Sequence, residues 1–322
     1  MRSCFLICSV AAAVFPGAAF GEFVYQGEWG SFGTGPGQLN CPFGVDCDIV
    51  GNGLVYVVDY ENHRVQYFTA TGSYLGKWGA YGREDGQFRY PWGVEVKRGR
   101  VYVSDTHNHC IQYFTHAGSF LGKWGRYGSG DGRLDNPRGV AVSREGRVYV
   151  VDCLNHRIQY FTADGSFLGK WGTKGAGDGQ FNGPRGILIP PSGKIYVADK
   201  YNHRVQYFTP DGVFLGKWGR EGKGDGEFVG PRGLAGRGDG RIFVTDEYSD
   251  RVQYFTHQGS FIGKWGQRGS APGDFNLPAC CTFGPNGWFY VADERNHRIQ
   301  YFRESEAAVE PCSLGRVRAL FK

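Results

Sequence analysis

The chain has 322 residues and a net charge of +5, too mild by itself to argue for a nucleic-acid partner. Fifty-three glycines, 16% aromatic residues and one Met describe a turn-rich β protein and exclude a helical array, which would be rich in Ala, Leu, Glu and Lys. The glycines follow no Gly-X-Y period, so they are read as residues for tight turns that need positive φ.

From the N-terminus, Arg2 is the only charge in the first 21 residues, Cys4 to Phe15 is apolar or small, and Ala18-Ala19-Phe20-Gly21 precedes Glu22. This is the plan of a secretory signal peptide cleaved after Ala19 or Gly21, so the expectation is export to the cell envelope or the medium. The segment is short and Ala/Gly-rich for a membrane span.

The tripeptide Gln-Tyr-Phe then begins at Gln66, Gln112, Gln159, Gln206, Gln253 and Gln300, in steps of 46, 47, 47, 47 and 47 residues. Self-similarity at a fixed period marks one supersecondary unit stacked on its neighbours. The third copy shows the unit: Asn136 to Val142, Arg147 to Asp152, Asn155 to Phe161 and Ser166 to Gly172. Each run is short, rich in β-branched or aromatic residues, and bounded by Gly, Asp, Asn or Pro, which predicts four antiparallel strands per copy. Such sheets, hydrophobic on both faces, pack radially as propeller blades.

The ends of the chain predict how the ring closes. The last copy stops after its third strand at Phe302, and Val24-Tyr-Gln-Gly-Glu-Trp-Gly30 matches the fourth strand of the others, such as Ser73-Tyr-Leu-Gly-Lys-Trp-Gly79. The expected fold is an all-β, six-bladed propeller over residues 22–302, with residues 23–30 completing the last blade. Residues 1–21 form the signal peptide and 303–322 a tail outside the repeats.

The motif Asn-His-Arg-Ile/Val-Gln, preceded by a strand ending in Asp, resembles the NHL repeat. Supporting residues are Gly177 to Phe181 and Pro184-Arg-Gly-Ile187. The resemblance implies a six-bladed propeller and leaves the activity open, since relatives include RNA-binding domains, a peptide-amidating lyase, signalling sensors and secreted scaffolds.

Residues present in every copy serve the unit. Asp59, Asp105, Asp152, Asp199, Asp246 and Asp293 are expected to accept hydrogen bonds from turn amides or the following Arg. The following Asn residues suit left-handed turn geometry, and the histidines after them are spread one per blade, as structural residues. Function is sought where copies differ. Between the Pro and Gly that open the innermost strand the ring reads Phe43, Trp92, Arg138, Arg185, Arg232 and Ala279. The first five are the candidate binding residues: arginines grip carboxylate or phosphate, and aromatic faces stack. Two residues after each of those glycines come Asp46, Glu95, Ala141, Leu188, Ala235 and Thr282, and the two acids are the candidate Ca or Zn ligands or acid/base pair.

The leading reading is an exported, non-catalytic scaffold that holds a protein or acidic polysaccharide on the Arg/aromatic face. The alternative is a metal-dependent lyase or hydrolase, amidating-lyase-like or lactonase-like. Against both enzyme types, no His falls in an innermost strand and no nucleophile has an obvious base. RNA binding is a third reading that fits the residue types but not the signal peptide. Removing the signal leaves Cys41, Cys47, Cys110, Cys153, Cys280, Cys281 and Cys312, an odd number. Cys110 and Cys153 fall in the same turn region of adjacent blades and are the candidate interblade disulfide, while Cys312 is a candidate for pinning the tail.

Overall fold

The computed structural model describes residues 21–48, 51 and 53–305. Residues 1–20 of the expected signal peptide, nearly all of the tail and Cys312 lie outside the described residues.

Six four-stranded antiparallel sheets form a ring of blades. Blade one runs from the innermost strand Pro42–Cys47 through Val55–Asp59 and Arg64–Phe68 to the outer strand Tyr74–Trp78. The last blade has its inner three strands at Pro278–Phe283, Trp288–Asp293 and Arg298–Glu304. Its fourth is Phe23–Trp29, antiparallel to Arg298–Glu304 with Phe23 opposite Glu304. Ring closure by the N-terminal strand is therefore as the sequence predicts, with the pairing continuing to Glu304.

Blades pack face to face, and the repeated residues explain the spacing. The glycine after Pro-X is needed for close approach. A Cβ on Gly139 would lie 2.7 Å from the carbonyl oxygen of Arg185 in the next blade, and one on Gly93 2.6 Å from that of Arg138. Buried tyrosines tie five of the blades to the third-to-fourth-strand turn of the next: Tyr56 Oη donates to His116 O at 3.1 Å, and Tyr290 Oη to Ala70 O at 2.9 Å across the closure. Blade five has Phe243 at this position. There Arg241 of blade five instead forks onto Glu304 of blade six at 2.7 Å to each oxygen.

The motif residues hold the linkers between blades. Asp59 accepts from Asn40 N at 2.7 Å, Arg64 Nε at 2.7 Å and Gln66 Nε2 at 3.0 Å. The left-handed residue is the histidine, not the asparagine: His63, His109, His156, His203 and His297 have φ of 53–56°. Asn62 instead spends its side-chain amide on Asp59 and on Gly33 O, a role that fixes Asn without any backbone requirement. Four of the histidines accept a linker amide at Nδ1, for example Tyr90 N to His63 at 3.2 Å and Cys41 N to His297 at 3.1 Å. In blade five Asp250 takes the same backbone geometry (φ 50°) and accepts Leu277 N at 2.8 Å, which accounts for the Ser249-Asp250 departure.

Candidate functional site

The start of each innermost strand and the turn after each conserved Asp meet on one face. Phe43 stacks on Tyr60 at 4.0 Å and 22°. Arg232, from the opposite side of the ring, lays its guanidinium 4.3 Å over Phe43 and 5.7 Å over Trp92. These groups plug the channel on this face, and Trp92 is only 3% exposed.

The candidate arginines are thus brought together, but not as a solvated arc. Arg185 and Arg232 are buried, at 8% and 4% exposure, because they turn inward over the channel. Arg232 pairs with Glu294 at 2.6 Å and Glu247 at 3.3 Å. Arg138 lies 5.8 Å over Trp92, and burial together with the charge of Arg185 pushes it down to about 10. Arg185 reaches Tyr201 Oη at 3.2 Å and the Cys153 thiol at 3.9 Å.

The first residue after each conserved Asp forms a second ring, Tyr60, Thr106, Cys153, Lys200, Glu247 and Glu294. Lys200 Nζ is 2.5 Å from Glu247 Oε2 and 3.2 Å from Tyr248 Oη, and burial lowers its pKa to about 8. The next residues are exposed, among them Leu154 at 52%, Tyr201 at 51% and Tyr248 at 47%. The sequence reading centres on the strand starts and leaves these two rings unassigned. Their signal lay in the sequence, as two variable positions behind an Asp that never varies.

The candidate disulfide does not form: Cys110 and Cys153 are both free and buried. Cys110 opens a strand and points into its own blade, 3.9 Å from Asp105 Oδ2, whereas Cys153 points into the mouth. The turn that both flank sends them in different directions.

Below the plug the channel is a cavity of about 1350 Å³ that reaches the first-to-second-strand turns of the opposite face. Val45, Val94, Val140, Ile187 and Leu234 line it, with Asp46 and Glu95 in its wall. Both acids cap amides of the next blade: Asp46 accepts Val96 N at 2.7 Å and Thr282 Oγ1 at 2.9 Å, and Glu95 accepts Val142 N at 3.1 Å. Burial raises Asp46 to about 6, and burial plus the charge of Asp46 raises Glu95 to about 8. Among the described residues no three His, Cys, Asp or Glu side chains gather as a metal-ligand set, so the pair lacks a third side-chain ligand of that kind.

The NHL repeat model matches residues 88–114, 134–161 and 181–208, which lie in blades two, three and four. The chain carries NHL repeats. No curated protein sequence matches it. Solved structures similar to this NHL propeller include a gluconolactonase from Xanthomonas campestris, 16% identical over 91% of this chain and 99% of that one, with a TM-score of 0.65. Inactive virginiamycin B lyase from Staphylococcus aureus with quinupristin is 13% identical over 90% of each chain, with a TM-score of 0.60. A chain of a nidogen/laminin complex is 17% identical over 71% of this chain and 81% of that one, with a TM-score of 0.54. At these identities the likeness shows the fold, which serves enzymes and binding proteins alike. Among the described residues no helix is long and apolar enough to cross a membrane.

Proposed function

We propose that this NHL propeller is a non-catalytic binding module that holds an acidic protein segment on the face carrying the Arg/aromatic mouth. The observation that carries this reading is exposed Tyr201 lying on buried Arg185, its Oη 3.2 Å from the guanidinium, with exposed Leu154 and Tyr248 at the equivalent turn positions of the flanking blades. Tyr, Trp and Arg dominate binding hot spots, where an aromatic rim excludes water around a charged centre. The excess of cations over acids in the mouth selects an acidic partner and speeds its approach. An enzymatic reading would centre on Asp46 and Glu95, and their oxygens are engaged in holding neighbouring backbone amides.

Fluorescence anisotropy with labelled Asp/Glu-rich peptides that contain aromatic residues tests the proposal. Wild type is expected to bind them, with affinity falling as salt rises, and the double variant Tyr201→Ala/Tyr248→Ala to bind about 30-fold or more weaker, a hot-spot loss of about 2 kcal/mol. Equal binding by both proteins, or binding only to acidic polysaccharide or RNA probes, would overturn it.

A further inference from the structure

Charge matching around the mouth is uneven, and the repeat shows where. After the conserved Asp, blades five and six place Glu247 and Glu294. These two acids pair with three cations, Arg232, Lys200 and the more exposed Arg295. Blade three places Cys153 at the same position, and neither Arg138 nor Arg185 makes an ion pair with a carboxylate among the described residues. Arg185 is more than nine-tenths buried, and its Nε and that of Arg138 have no hydrogen-bond partner. A guanidinium does not escape this situation by losing its proton, so the positive charge of Arg185 stays desolvated where blades five and six would supply a carboxylate. Exposed Tyr201 borders this group, its ring centroid 5.6 Å from the Arg185 guanidinium.

We propose that Arg138 and Arg185, above Cys153, form an anion subsite that takes two carboxylates of one ligand. Two planar donor forks match two carboxylates in shape and in charge. The subsite rests on the reading of this face as the docking surface for an acidic segment, and it assigns the acidic side chains of that segment to these two arginines. Cys153 is the feature that leaves the subsite open, because a carboxylate there would occupy it from within.

Cys153→Glu is therefore the direct test, since it gives blade three the residue type of blades five and six. Melting is followed in succinate, sulfate and chloride at matched ionic strength. Wild type is expected to show a saturable rise in Tm with succinate only. Cys153→Glu should melt higher than wild type without any added anion and lose the succinate shift. It should also bind the acidic peptides at least tenfold more weakly. If Cys153→Glu gives no cooperative melt, Arg185→Gln takes its place and should also abolish the succinate shift. A succinate shift that survives in the variant, or that chloride reproduces, overturns the subsite, as does a shift with sulfate alone. If Cys153→Glu still binds the peptides like wild type while Tyr201→Ala/Tyr248→Ala does not, the subsite falls and the docking face stands.

Discussion

Replacing Cys110 by Arg should stabilise the protein, because blade two is the one blade whose buried Asp lacks its arginine. Elsewhere the pair is closed: Asp59–Arg64 at 2.7 Å, Asp152–Arg157 at 2.7 Å, Asp199–Arg204 at 2.8 Å, Asp246–Arg251 at 3.2 Å and Asp293–Arg298 at 2.8 Å. The same guanidinium also donates to linker carbonyls, as Arg64 does to Thr34, Gly35 and Gln38. Asp105 keeps only Arg89 N, Asn108 and Gln112 as close donors, and burial pushes it up to about 6 from 3.8. That difference of about two units amounts to about 3 kcal/mol of unfavourable charge burial at neutral pH. Burying the new guanidinium costs part of the gain, although five equivalent sites accommodate one. The expected net gain is about 1–2 kcal/mol, which is roughly 2–4 °C in Tm for a domain of this size.

The pH dependence makes this prediction specific. A folded-state pKa above the unfolded value gives stability that is fully present below about pH 4 and lost as pH rises through about 6. The advantage of Cys110→Arg should therefore be small near pH 4 and complete above pH 7. Calorimetric melts of both proteins across this range decide the matter. A variant that melts no higher than wild type at pH 7.5, or whose advantage ignores pH, would refute the reasoning.

Deleting residues 23–30 should expose the edge of Arg298–Glu304 and abolish the cooperative melt, since that strand loses its only outer partner; an unchanged melt would show closure by other means. Burial lowers the pKa of His63, His109, His156 and His297, whose neutral Nδ1 atoms accept linker amides. The unfolded chain thus takes up these protons first, so their contribution is present above about pH 6.5 and is lost as pH falls through the depressed values. Imidazole NMR titrations should show midpoints below 6.5, and midpoints above it would contradict this role. Export rests on the sequence before Glu22, and N-terminal sequencing of protein from the cell envelope or medium should begin between Phe20 and Phe23. Intact Met1 in cytosolic protein would defeat it.

The fold was legible because its signals repeat. Six copies of Gln-Tyr-Phe and one displaced outer strand give blade number and closure without reference to any partner. The conserved Asp was legible too, since a carboxylate followed by Asn, Arg and Gln has few other uses than gathering them. The left-handed turn was misassigned to Asn62 and its equivalents, because Asn tolerates that geometry and a histidine there is unusual; the Nδ1 hydrogen bond to the next linker compensates. The site was only partly legible. Sequence places Arg138, Arg185 and Arg232 on one arc but not their direction. Whether a guanidinium points to solvent or across the axis depends on what fills the channel, and around Arg232 the residues Phe43, Trp92 and Glu294 come from other blades. The disulfide failed for a similar reason, since adjacency along a turn does not fix where two thiols aim.

The central claim is that an acidic segment docks on the Arg/aromatic mouth, and the footprint of a bound Asp/Glu-rich peptide tests it most directly. Amide hydrogen exchange of the complex against the free protein should show protection concentrated in the turns at residues 153–156, 200–203 and 247–250. Protection confined to the opposite face, at the turns around residues 97–100, 143–147 and 190–193 where the channel opens, would contradict the account.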